Sequence, residues 1–146
     1  MSPGLSLGAM PRARIAAFAL AGWTLFVWTT RIGNIWRDDA ASTGSKIGST
    51  ALALSFTVLA VAVIVVAVRR MSPTVLRQAV VALAGWTTAV WVVRSLTILA
   101  GDRPVGFKVV HGVLAVVSIA LSAWAVRSLR EAPSGDLPRY AGSQRA

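Results

Sequence analysis

Residues 14–39 read RIAAFALAGWTLFVWTTRIGNIWRDD, and residues 77–102 read RQAVVALAGWTTAVWVVRSLTILAGD. At an offset of 63 the two stretches share thirteen of twenty-six residues, among them Gly22/Gly85, Trp23/Trp86, Thr24/Thr87, Trp28/Trp91 and Arg31/Arg94. An internal repeat constrains architecture before any local assignment is made. Each copy is an apolar run that ends near an arginine, and a second apolar run follows each. The pattern predicts an all-α membrane protein of four transmembrane helices, arranged as a tandem (2+2) repeat.

Composition agrees with that reading. Of 146 residues, 55% are hydrophobic and the mean hydropathy is +0.67, above the range of ordinary soluble domains. Cysteine is absent, which excludes disulfides, thiolate metal sites and cysteine nucleophiles. A net charge of +10 raises the question of nucleic acid, but the cations bracket apolar runs instead of forming a basic face on a soluble core. No nucleic-acid partner is expected.

A helix crosses the hydrocarbon core with roughly 20 apolar residues. Four segments qualify, near Ile15–Trp36, Ile47–Val68, Gln78–Ala100 and Val109–Val126. The first resembles a signal sequence, since Arg12 and Arg14 precede it, but its copy at 77–102 cannot be one, so retention is expected. The chain reads as a single transmembrane domain, 1–146. Repeat A spans about 14–70, repeat B spans about 77–130, and residues 131–146 form a disordered cytoplasmic tail.

Basic residues set the orientation. The amino terminus, the second loop and the tail carry nine of them, from Arg12 to Arg145. The opposite side carries Arg31, Arg37, Lys46, Arg94, Arg103 and Lys108. The bias predicts a multi-pass membrane protein with both termini in the cytoplasm. Because each repeat holds two spans, the halves enter the membrane in the same sense. Parallel halves imply a pseudo-two-fold axis along the membrane normal.

On a helical projection Leu20, Thr24, Val27, Trp28, Arg31 and Ile35 share one face, where the copies agree best. The mismatched positions Phe18, Leu25, Phe26, Thr29 and Ile32 are expected on the opposite, lipid-facing side. Lipid asks only for apolarity, whereas a packed face or a site resists change. Gly22 and Gly85 are read as points of close backbone approach. Ala115, Ser118, Ser122 and Ala125 are read as a packing stripe on the fourth span, with Ala51, Ser55 and Ala62 doing the same on the second. Trp23 and Trp86 fall in mid-membrane, where the indole N–H needs an acceptor such as Ser55 or Ser118.

Arg31 and Arg94 are the leading anion- or lipid-binding candidates, with Lys46, Lys108, Trp28 and Trp91 beside them and His111 as a secondary one. An embedded arginine is costly and tends to face the interior, although near an interface it can snorkel to headgroup phosphates. Trp28 and Trp91, one turn away, suit an aromatic belt or a cation–π partner. Lys46 and Lys108, the only lysines, match in position and either anchor helix ends or complete a ring of four cations with the arginines. Asp39 and Asp102 are placed to join them in a salt-bridged cluster. A lone histidine cannot supply bis-His haem, and no other cofactor or metal site is visible.

The acids all lie in the expected loops or tail, so the spans lack the embedded carboxylate that proton-coupled cation exporters need. No nucleophile–base–orienter set or phosphate loop is present, and no enzyme is expected. A membrane lipid is the expected partner, with a homo-oligomer or larger membrane complex also open. A small anion channel or transporter is the alternative. The stretch W-T-x-x-V-W-x-x-R-x-x-N, Trp23 to Asn34, with the following Asp38-Asp39 and the later G-F-K-V-V-H, resembles uncharacterised small four-span integral membrane proteins of actinobacteria. The resemblance covers mainly the first span and implies a bacterial inner-membrane protein. The second copy departs from it, carrying Thr97 where the first has Asn34.

Overall fold

The computed structural model describes residues 9–131. They form four helices, α1 (Ala9–Arg37), α2 (Thr43–Val68), α3 (Pro73–Ala100) and α4 (Val105–Glu131). At 26 to 29 residues each is roughly 40 Å long, more than the ~30 Å hydrocarbon core requires. All four are long and apolar enough to cross a membrane.

The helices outrun the apolar windows because their ends are set by capping chemistry. Ser42 caps α2 by accepting the Ser45 N–H, and Ser72 caps α3 by accepting the Val75 N–H. Pro73 follows at the first turn of α3, where its missing N–H costs nothing. At the other end of α2, Arg70 adopts φ 50°, donating its N–H to Ala67 while Met71 donates to Val66. That is the Schellman arrangement. Glu131, expected to open the tail, instead closes α4 and pairs with Arg127 at 2.8 Å. The remainder of the expected tail, 132–146, lies outside the described residues.

Each helix packs on its two neighbours in a closed ring, α1–α2–α3–α4, and α1 also touches α3 across the middle. Phe56, Leu20, Leu83, Val63 and Val80 are the large side chains wholly removed from solvent. The outer surface carries large exposed apolar side chains on every helix, among them Val58, Val61, Val93, Leu96, Val113 and Val116. In water such a continuous apolar surface would be a liability, whereas in lipid it costs nothing. The fold is that of a multi-pass helical bundle.

Burial follows the repeat. Leu76, Val80, Leu83, Ala84, Thr87 and Trp91 are the buried residues of α3, and each lies 63 positions after a buried residue of α1. On α2, Ala53, Phe56, Ala60 and Val63 are buried, each 62 positions before a buried residue of α4. The offset falls by one because the loop between α3 and α4 is one residue shorter than the loop between α1 and α2.

The shared face of α1 does turn inward, with Leu20, Thr24 and Trp28 buried. Several finer expectations are corrected. Leu25 and Ile32, assigned to the lipid side, are half-buried against the core. The seam on α2 is Ala53, Ala60 and Ala67, while the expected Ala51 and Ala62 are exposed and Ser55 is half-buried, because the buried stripe follows Ala53, Phe56, Ala60, Val63 and Ala67. Gly22 and Gly85 are exposed, and a Cβ at either would meet no atom within 4 Å. They mediate no close approach among the described residues, and nothing in the packing explains why both copies carry glycine there.

Candidate functional site

Arg31 and Arg94 each sit six residues before the end of their helix, roughly 9 Å inward. Both are half-buried, and both line one cavity of about 550 Å³ at the end of the bundle where α1 and α3 finish. The α1 and α3 walls are built from matched positions: Arg31 with Arg94, Asn34 with Thr97, Ile35 with Ile98. The two arginines therefore line a shared volume from α1 and α3, which meet across the middle of the ring.

Trp28 and Trp91 lie one turn further in and are only 2% and 3% exposed. Trp28 stacks on Phe56 at 4.1 Å, with the rings 8° from parallel. Buried rings cannot serve as a lipid-facing belt, so that reading of Trp28 and Trp91 is overturned. Neither is the cation–π partner it was offered as. Among the described residues the cation–π contact is Arg103 over Phe107, at 5.7 Å.

The lysines separate. Lys46 lines the cavity, whereas Lys108 donates from Nζ to the Leu99 carbonyl at 3.3 Å, tying α4 to the end of α3. The ring of four cations pairing both lysines with both arginines therefore does not form. Arg103 takes the remaining place in the lining, giving Arg31, Lys46, Arg94 and Arg103 against the single acid Asp38. The Asp38 carboxylate already accepts the Ala40 N–H at 3.1 Å. Asp39 and Asp102 join no ion pair among the described residues, where Arg127–Glu131 is the one such contact. The expected salt-bridged cluster is absent from them, and among the described residues the four cavity cations have no carboxylate within ion-pair distance. Arg31, Lys46 and Arg94 are half-buried and Arg103 is exposed, so the first three bear a partial desolvation cost that no ion pair offsets.

Arg103, Asn34, Ser45 and Ser49 line the cavity without having been named as site candidates. Arg103 sits in a loop whose path a helical projection does not describe. Ser45 and Ser49 could have been found through the register of Lys46, one residue after the former and three before the latter.

A second cavity, of about 360 Å³, adjoins the first and shares Arg31, Asn34, Arg94 and Phe107 with it. It runs between α1 and α4, lined by Phe26, Trp28, Trp91, Val110, His111 and Leu114 among others. The His111 ring lies 3.9 Å from the Phe107 ring, tilted by 31°, and its Nδ1 lies 2.9 Å from the Phe107 carbonyl oxygen.

Below the tryptophans two indole bonds join the halves. Trp23 donates to Ser118 at 2.9 Å, and Trp86 donates to Ser55 at 3.1 Å, as the need for mid-membrane acceptors anticipated. Further along, the buried positions are almost all Ala, Val and Leu, interrupted by Ser122 and Ser128. No His, Asp or Glu cluster among the described residues is arranged to hold a metal ion. The chain matches no model of a known protein family, no curated protein and no solved structure.

Proposed function

We propose that the chain is a non-enzymatic membrane protein that binds a phosphate-bearing anion, the headgroup class of an anionic lipid, between Arg31 and Arg94. The observation carrying this reading is a cavity with four cationic residues and one already engaged carboxylate. Guanidinium groups present planar paired donors that fit phosphate oxygens, and Asn34, Thr97, Ser45 and Ser49 add neutral polar groups to the lining. An anion bound there would supply the charge that the described protein does not. A volume of this size falls within the usual range for small-molecule sites.

The anion channel is the weaker reading, because the buried residues beyond Trp28 and Trp91 offer few polar groups for a path. The repeat is taken as a parallel duplication about an axis along the bundle, supported by the matched burial and by the paired indole bonds. Membership among the small four-span actinobacterial membrane proteins rests on the motif from Trp23 to Asn34. With both termini cytoplasmic, the cavity would open to the outside of a bacterial plasma membrane. A cysteine at Ser42 should then react with an impermeant thiol reagent on intact cells, and one at Met71 should not. The reverse pattern inverts the topology.

Mass spectrometry of lipids retained by the full chain in neutral detergent tests the binding. Wild type should retain anionic phospholipid. Arg31→Gln and Arg94→Gln should each lose it, the pair should be non-additive because they share one site, and Lys at either position should not restore it. Unchanged retention in all of these variants would refute the assignment.

A further inference from the structure

The headgroup cavity and the α1–α4 cleft are not separate features. They share Arg31, Asn34, Arg94 and Phe107, so whatever occupies the first has a direct path into the second. The two differ in chemistry along the line that joins them. On the α2 wall the headgroup cavity is lined by Ser45, Lys46 and Ser49. At the register that aligns Lys46 with Lys108, the α4 counterparts of Ser45 and Ser49 are Phe107 and His111. That wall is aromatic, and it continues inward as Val110 and Leu114. Across the cleft Phe26 is 63% exposed, and Val110 is 57% exposed, so the apolar side opens onto the outer surface of the bundle.

We infer that the occupant is an amphiphile, an anionic phospholipid whose phosphate lies between Arg31 and Arg94 while one acyl chain leaves laterally through the α1–α4 cleft. The inference rests on the anion-binding reading above and adds the chain and its route. Charge complementarity selects the headgroup, since the shared residues include two cations without a carboxylate partner among the described residues. Continuity with an apolar cleft selects a lipid over a free phosphate ester, because a headgroup alone would leave the Phe26–Leu114 cleft unfilled. A lipid in the adjoining leaflet reaches such a site by sliding in sideways, without its chains crossing water. The opposite seam, between α2 and α3, presents serines at the matching positions and is not the route. One lipid per chain is the expected stoichiometry, despite two matched arginines.

The test compares two probes on the full chain in neutral detergent: glycerol 3-phosphate, and dioleoyl phosphatidylglycerol followed by native mass spectrometry. Wild type should bind the lipid at least about tenfold more tightly than the headgroup probe, since even two buried methylenes are worth about that much. Val110→Trp, which places a bulky ring in the cleft at a partly exposed position, should lower lipid affinity by about tenfold and leave glycerol 3-phosphate binding unchanged. Retained headgroup binding shows that the variant is folded. Val110→Phe should give a smaller loss in the same direction. Gly48→Trp, at the matching position of the α2–α3 seam, should alter neither probe. Equal affinity for the two probes, or full lipid binding by Val110→Trp, would overturn the route while leaving the arginine site standing. Failure of wild type to bind either probe would remove the site itself, and the route with it. Dioleoyl phosphatidylcholine retained as well as phosphatidylglycerol would also overturn the inference, since the arginines would then select nothing.

Discussion

The α2–α3 seam and the α1–α4 seam are built from corresponding helices, yet Phe56 stands in one where Ser118 stands in the other. Phe56 is wholly buried, stacked on Trp28 of α1 and 6.0 Å from Trp86 of α3, so a single ring joins three helices. Ser118 instead accepts the Trp23 N–H, and one turn outward the α1–α4 seam opens into the 360 Å³ cleft at Leu114. The two tryptophans respond to the same difference. Trp23 bonds the residue at the matching position directly, while Trp86 meets a phenyl ring there and bonds Ser55, one residue earlier. The lesson is that two seams whose buried positions match can still differ in packing through a single core position.

The largest effect should come from removing the ring. Phe56→Ala deletes a stacked, fully buried aromatic side chain and should cost about 3–5 kcal/mol in reversible unfolding in mixed micelles. If the loss is under about 1 kcal/mol, the seam is not held by Phe56, and the contrast between the seams is empty. Ser118→Phe tests the converse. Ser118 is buried beneath the Trp23 indole, so a ring has no space there and should cost about 1–3 kcal/mol through overpacking. A neutral Ser118→Phe would mean that the two seams are interchangeable.

How much of this was legible beforehand depends on which property a residue type reports. The inward face of α1 could be read because the copies agree there, and the same positions, Leu20, Thr24 and Trp28, are buried. The indole acceptors were legible too, since few hydroxyls lie at mid-membrane depth. Gly22 and Gly85 misled because smallness permits close approach without causing it. The α2 stripe misled similarly: alanine and serine are common on both faces of an apolar helix, and only the 3–4 spacing of Ala53, Phe56, Ala60, Val63 and Ala67 identifies the packed one. The arginine pair was visible from the repeat, but its company was not. Asp38 rather than Asp39 lines the cavity, and Arg103 joins it, because loop residues follow turn geometry that no helical period describes.

A smaller pair of effects concerns the indole bonds. Ser118→Ala should cost about 1–1.7 kcal/mol and Ser55→Ala about 0.6 kcal/mol, the span seen for interhelical side-chain bonds in membranes. The ordering follows from burial: Ser118 is buried and Trp23 half-buried, whereas Trp86 is exposed and Ser55 only half-buried. Equal losses would show that depth within the bundle does not set the strength of these bonds.

The smallest effect separates Thr24 from Thr87, matched residues at the centre of α1 and α3. Both are 3% exposed. Thr24 Oγ1 donates to the Leu20 carbonyl at 2.8 Å, while Thr87 Oγ1 is buried with no partner among the described residues. Valine has nearly the shape of threonine, so exchanging either removes a hydroxyl and leaves the packing intact. At Thr24 the loss is of a bond to a carbonyl within its own helix, and Thr24→Val should change stability by no more than about 0.3 kcal/mol. At Thr87 the hydroxyl loses its solvation and gains nothing, so Thr87→Val should stabilise the bundle by roughly 0.5 kcal/mol. The sign decides the matter. If Thr87→Val destabilises, the hydroxyl has a partner in the membrane, and because it lies one turn inward of Trp91, a bound water or ligand group reaching past the tryptophans would be the source.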